Sequence, residues 1–125
     1  EKKIRYLGLV EDVKDLVKQA KYVVLPTRYR EGLPRILMES LALGTPVIVT
    51  KFPGYEAVVK DGTTGFVMQD TSKESLLACL HHADSLSQDD YLSMSLEARK
   101  HAKQNYYAAD VINIYICKLN IKHDN

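Results

Sequence analysis

The stretch that most narrows what this chain can fold into is residues 22–50, YVVLPTRYREGLPRILMESLALGTPVIVT. An apolar, β-rich run at 22–25 stops at Pro26, and a polar loop follows. Pro34 then opens a helical run, Gly44 closes it, and a second apolar run begins at Pro46. Proline suits the first turn of a helix, where its missing N–H has no partner to lose, and glycine suits the position just past the end. The pattern therefore reads strand, loop, helix, tight turn, strand. That is a βαβ unit, and it implies a parallel sheet.

Two carboxylates stand in this unit, Glu31 and Glu39, eight positions apart (39 − 31 = 8). Glu31 falls in the loop leaving the carboxyl end of a strand, where open α/β sheets bind their ligands. Glu39 falls inside the helix, among Ile36, Leu37, Met38, Leu41, Ala42 and Leu43. A charge on so apolar a helix calls for something to satisfy it. Between the two lies the start of the helix, whose free N–H groups and dipole favour an anion. Pro34 has no N–H to offer, so the available amides are those of Gly32, Leu33, Arg35 and Ile36. Two hydroxyl-accepting carboxylates around a phosphate-binding helix end match the chemistry of a nucleotide sugar.

The run E-G-L-P-R-I-L-M-E, followed by S-L-A-L-G-T-P-V-I, resembles the E-x7-E signature of retaining GT-B glycosyltransferases, family 4 in particular. The resemblance implies that Glu31 faces the donor sugar at the reacting centre and that Glu39 holds the ribose hydroxyls. It extends over most of the chain. Residues 4–10, IRYLGLV, read as a short strand ending near Gly8, and resemble the family's F-L-G-x-V strand, which makes Val10 the position against the nucleotide base. After Pro53-Gly54, Glu56 takes the place of a family Glu, with bracing of the turn as its expected role. The pattern D-G-x-x-G-F-x-V at 61–68 matches a structural turn and last strand.

The remaining segments read as helices. Residues 12–20 place Val13, Leu16, Val17 and Ala20 on one helical face, with Asp12 as the expected N-cap. From Ser72 onward all is helical: one helix to about 86 with Leu76, Leu77, Leu80 and Ala83 as its core face, one over 88–104, and one over 109–122. The expected fold class is α/β: a Rossmann-like parallel sheet with flanking helices, as part of the C-terminal domain of a GT-B fold, with an all-helical C-terminal part. The chain reads as a single partial donor-binding domain, residues 1–70 forming its β/α part and 71–125 its helical part.

Composition excludes several classes. At 125 residues and 46% hydrophobic the chain has material for one core, and its formal net charge of +1 gives no field suited to nucleic acid. No apolar run approaches the roughly 20 residues that span a bilayer, and no signal peptide opens the chain. Cys79 and Cys117 lack the spacing of a disulfide framework and read as buried small hydrophobes. His81 and His82 are adjacent, so on a helix they point about 100° apart, and with His101 and His123 they read as surface residues. No metal site is expected. Neither GxGxxG nor Walker A occurs, so a dinucleotide or ATP cofactor has no anchor.

The resemblance sets further expectations. The donor is a nucleotide-diphosphate sugar of UDP or GDP type, and no other cofactor is implied. The acceptor is a glycan or lipid-linked molecule, held by an N-terminal domain that the match does not include. The match starts at the third strand of a sheet ordered 3-2-1-4-5-6. That leaves the strand at 22–25 with an open edge unless the strand at 4–8 or another molecule covers it, and implies self-association or marginal stability. The implied setting is cytoplasmic, at or near the inner face of the membrane, in bacterial surface polysaccharide or lipid-linked glycan synthesis. Two other readings compete: a sugar-nucleotide epimerase of similar fold, and a binding or interaction module without transfer.

Overall fold

The structure, a computed structural model, describes residues 3–28 and 34–105. Helix α1 is Lys14–Gln19, strand β1 Val23–Leu25, helix α2 Arg35–Ala42 and strand β2 Val47–Thr50. A short 3-10 helix follows at Tyr55–Ala57, then strand β3 at Gly65–Met68, helix α3 at Lys73–Ser85 and helix α4 at Gln88–Asn105. The strands form one parallel sheet in the order β1-β2-β3, with Val23 paired to Val47 and Val47 to Gly65.

The βαβ expectation holds in detail. Pro34 sits just ahead of α2 in extended conformation (φ −66°, ψ 132°), and Gly44 turns the chain at φ +79°. All four residues of β2 are buried, as the middle strand of a sheet covered on both sides must be. Successive side chains point to opposite faces. Val47 and Val49 therefore join Leu37 and Leu41 of α2 in one apolar cluster, while Ile48 joins Phe66, Met68 and Ala83 in another. Helix α4 serves both clusters: Met94 belongs to the second, Ala98 and Ala102 to the first. α4 also packs along α2, with the Ser95 hydroxyl donating to the Gly44 carbonyl oxygen.

Gly65 explains the D-G-x-x-G-F pattern. A Cβ at this position would collide with the carbonyl oxygen of Val47 on the neighbouring strand, so only glycine lets β3 close onto β2. The preceding turn is tied by Gly62 N–H to the Gly65 carbonyl oxygen (2.8 Å) and by Lys60 N–H to the Thr64 hydroxyl (2.9 Å).

Three expectations are corrected. Residues 4–10 form no strand. Ile4, Tyr6 and Leu9 are 88%, 93% and 98% exposed, and no described strand lies alongside them. β propensity becomes a strand only through pairing, and this segment has no partner among the described residues. Helix α1 is shorter than expected, and its N-cap position is Val13; Asp12 acts one residue earlier, its carboxylate accepting from the Lys14 N–H (2.9 Å). On α3 the inward stripe is Leu76, Cys79 and Ala83, while Leu77 and Leu80 are 42% and 38% exposed. Ser72 starts that helix as expected, accepting from the Ser75 N–H (3.1 Å). The helix expected at 109–122, with Cys117 and His123, lies outside the described residues.

Candidate functional site at the mouth of α2

Parallel strands with helical returns bring the starts of the helices to the carboxyl edge of the sheet. β1 ends at Leu25 on that edge, and α2 begins there after the loop. The loop residues Glu31, Gly32 and Leu33 lie outside the described residues, so the site's geometry is carried by α2. The Leu37 N–H is taken by the Pro34 carbonyl oxygen (3.1 Å). Among the described residues no acceptor meets the N–H groups of Arg35 and Ile36. Arg35 is exposed at the first helical position, and the first turn carries no acid. A cation at a helix N-terminus opposes the dipole, so an electropositive mouth costs some stability unless an anion sits there.

Glu39 stands one turn further along α2, half-buried. Arg35 precedes it by four positions, the spacing at which side chains on a helix meet, yet the two form no ion pair. No hydrogen bond to the Glu39 carboxylate forms among the described residues. Its neighbours are core residues: Leu37, Ser40 and Leu41 are fully buried, and the Ser40 hydroxyl is turned back onto the Ile36 carbonyl oxygen (2.6 Å). α2 is thus held by its apolar face while its one carboxylate stays available. Val10 is half-buried ahead of α1, and no hydrogen bond ties its segment to α2 among the described residues.

The loop after β2 is braced from within. The Gly54 N–H donates to a carboxylate oxygen of Glu56 (3.0 Å), so Glu56 has the structural role expected of it. Gly54 itself has φ +95°, a conformation open to glycine. Phe52 and Tyr55 meet edge to face, ring centres 5.5 Å apart. These residues border a cleft of about 750 Å³ that the sequence reading missed, at the carboxyl ends of β2 and β3. Lys51, Val59, Lys60, Val67 and Gln69 also line it. Two aromatic residues flanking a Pro-Gly turn were the available signal, read there only as a turn.

The described histidines stay at the surface or near it: His81 and His82 are exposed, with His82 against the Phe66 ring (4.7 Å), and the half-buried His101 meets the Ala57 carbonyl oxygen (3.1 Å). Cys79 is half-buried, and burial pushes its thiol pKa up, away from reactivity. Among the described residues no group of His, Cys, Asp or Glu could hold a metal ion, and no helix is long and apolar enough to cross a membrane.

The chain is similar to known proteins. It is 32% identical over 93 residues to the putative glycosyltransferase YtcC of Bacillus subtilis (strain 168), covering 74% of this chain and 23% of that protein. It is 31% identical over 84 residues to the Vi polysaccharide biosynthesis protein VipC/TviE of Salmonella typhi, covering 67% of this chain and 14% of that one. Among solved structures, Anabaena Alr3699/HepE in complex with UDP superposes with a TM-score of 0.75 over 95% of this chain and 32% of its own, at 21% identity, which shows a shared fold. The chain therefore spans a third or less of the length of these proteins. The family model for glycosyl transferases group 1 matches residues 1–108, and the parallel sheet with flanking helices is that of a GT-B domain: the chain belongs to that family.

Proposed function

We propose that this chain is the donor-binding part of a retaining, family 4-type glycosyltransferase that takes a nucleotide-diphosphate sugar. The observation that carries the reading is the mouth of α2: Arg35 with no acid in the first turn and, among the described residues, N–H groups without an acceptor and a half-buried Glu39 without a partner. Glu31 and Glu39 then form the E-x7-E pair. Glu39 accepts from the two ribose hydroxyls, and Glu31 positions the sugar. The amides of Gly32, Leu33, Arg35 and Ile36 face the diphosphate, and Val10 meets the base. As the bond from the anomeric carbon to the diphosphate oxygen breaks, negative charge gathers on the leaving group. Fixed N–H dipoles and a helix end oppose that charge without having to reorganise. The sugar passes to an acceptor held outside this chain.

Support for UDP as the nucleotide comes from HepE, whose structure holds UDP. Support for a bacterial surface or lipid-linked glycan comes from VipC/TviE, a polysaccharide biosynthesis protein by name. The setting that fits is the cytoplasmic face of the membrane. Among the described residues β1 has a strand on one side only, and its other edge is the surface through which the chain would self-associate. Sedimentation over a range of concentrations checks this; a monomer at every concentration refutes it.

The deciding experiment titrates the chain with UDP, GDP and ADP by calorimetry, with Glu39→Ala as the control. Saturable binding of UDP, lost at least tenfold in the variant, is the expected result. Binding that ignores the substitution would remove Glu39 from the site, and binding by none of the three would favour a module that keeps the fold without a donor.

A further inference from the structure

The cleft beside β3 contains none of the residues assigned to the donor, and its construction is of a different kind. Its floor is buried: Tyr55 and Val59 are 3% and 2% exposed. Phe52 and Val67 are half-buried along its walls, and the exposed Lys51 and Lys60 stand at its rim. At about 750 Å³ it is far larger than an inorganic anion needs and falls within the roughly 300–1,000 Å³ of sites for organic ligands.

The charges at the rim are not equivalent. Of the two carboxylates there, that of Glu56 accepts from the Gly54 N–H (3.0 Å) and that of Asp61 from the Val67 N–H (3.0 Å), so both are committed to the backbone of the cleft wall. The ammonium groups of Lys51 and Lys60 form no ion pair among the described residues. They are carried on long flexible stems and are the groups able to follow a ligand. An apolar trough with two uncommitted cations at its lip suits one chemical class, an apolar chain that ends in a phosphate.

We propose that this cleft binds such a lipid phosphate, with the chain over Phe52, Tyr55, Val59 and Val67 and the phosphate between Lys51 and Lys60. The cleft opens at the carboxyl ends of β2 and β3, the same edge of the sheet at which α2 begins. The binding does not depend on the function proposed above, in which the acceptor is held outside this chain.

The test uses the whole chain and geranyl phosphate, with geraniol, geranylamine and UDP as comparison ligands, followed by nuclear magnetic resonance. Geranyl phosphate is expected to saturate, shifting the signals of Phe52, Tyr55 and Val67, and to bind at least tenfold more tightly than geraniol. The variant Lys51→Glu/Lys60→Glu changes only exposed side chains, so its melting temperature stays close to the parent's while its affinity for geranyl phosphate falls at least tenfold. Glu39→Ala weakens UDP and leaves geranyl phosphate unchanged, which separates failure of this site from failure of the donor site. The proposal is overturned if geranylamine or geraniol binds as well as the phosphate, if UDP displaces it competitively, if no saturation occurs, or if the double variant binds as the parent does.

Discussion

On the proposed function, Glu39 is the residue whose replacement should separate function from stability most sharply. It is half-buried among the apolar residues of α2, and among the described residues its charge has no partner, so in the absence of ligand it works against the fold. Consider Glu39→Leu. Glutamate and leucine have nearly equal helix propensities, so the helix itself is unaffected. Full burial of a leucine is worth about 1.5–3 kcal/mol, and half-burial about 1 kcal/mol. The carboxylate is the fifth residue of an eight-residue helix, beyond the first turn where the dipole acts, so little is lost with its charge. The variant should be more stable by about 1 kcal/mol, which for a domain of this size raises the melting temperature by roughly 3–5 °C. Urea unfolding with and without UDP is the assay. The parent gains stability from UDP and the variant does not. A variant destabilised by 1 kcal/mol or more would refute the reasoning, because it would mean that the carboxylate is tied into the structure.

Other substitutions probe the frame that holds the site. Leu41→Ala removes a fully buried side chain between α2 and the sheet and should cost about 2–5 kcal/mol, against about 0.5 kcal/mol or less for Leu96→Ala, where the leucine is 69% exposed; chemical denaturation of both checks the difference. Gly65→Ala forces β3 off β2 through the Val47 carbonyl oxygen and should destabilise by more than about 2 kcal/mol, read as a loss of cooperative melting. Burial raises the pKa of Tyr22 and of Tyr91 above the ordinary 10.0. Both groups are then held neutral in the folded state, their stabilising contribution is complete below pH 10 and is lost as the pH climbs through the raised values, and a pH series of melts should show the fall steepening there. Tyr22→Phe should flatten that alkaline fall while giving up the hydrogen bond to the Ala83 carbonyl oxygen (3.2 Å).

The central unit was legible because several local signals agree within it: Pro34 and Gly44 mark the helix ends, and the runs on either side are too short and too β-branched for anything but buried strands. The segment at 4–10 carries the same β propensity and forms no strand, because a strand is a pairing and the sequence does not show which edge is available. On α3, Leu76 and Leu77 are neighbours, as are Cys79 and Leu80, so two overlapping stripes have helical spacing. Packing into the cluster of Ile48, Phe66, Met68 and Met94, a tertiary fact, selects the one through Leu76, Cys79 and Ala83. The candidate site divides in the same way. Glu39 and the start of α2 could be placed from spacing, whereas the cleft beyond Phe52 depends on a loop, a strand edge and a 3-10 turn meeting in space.

α4 is fastened to both of the regions in which the two proposed ligands would sit. Ser95 fastens it to the turn after α2, and His101 fastens it to the 3-10 turn that floors the cleft. In amide hydrogen exchange such a helix opens together with the units it bridges, so its protection reports on both. Occupancy of either site should therefore slow exchange along α4, at positions that no ligand reaches.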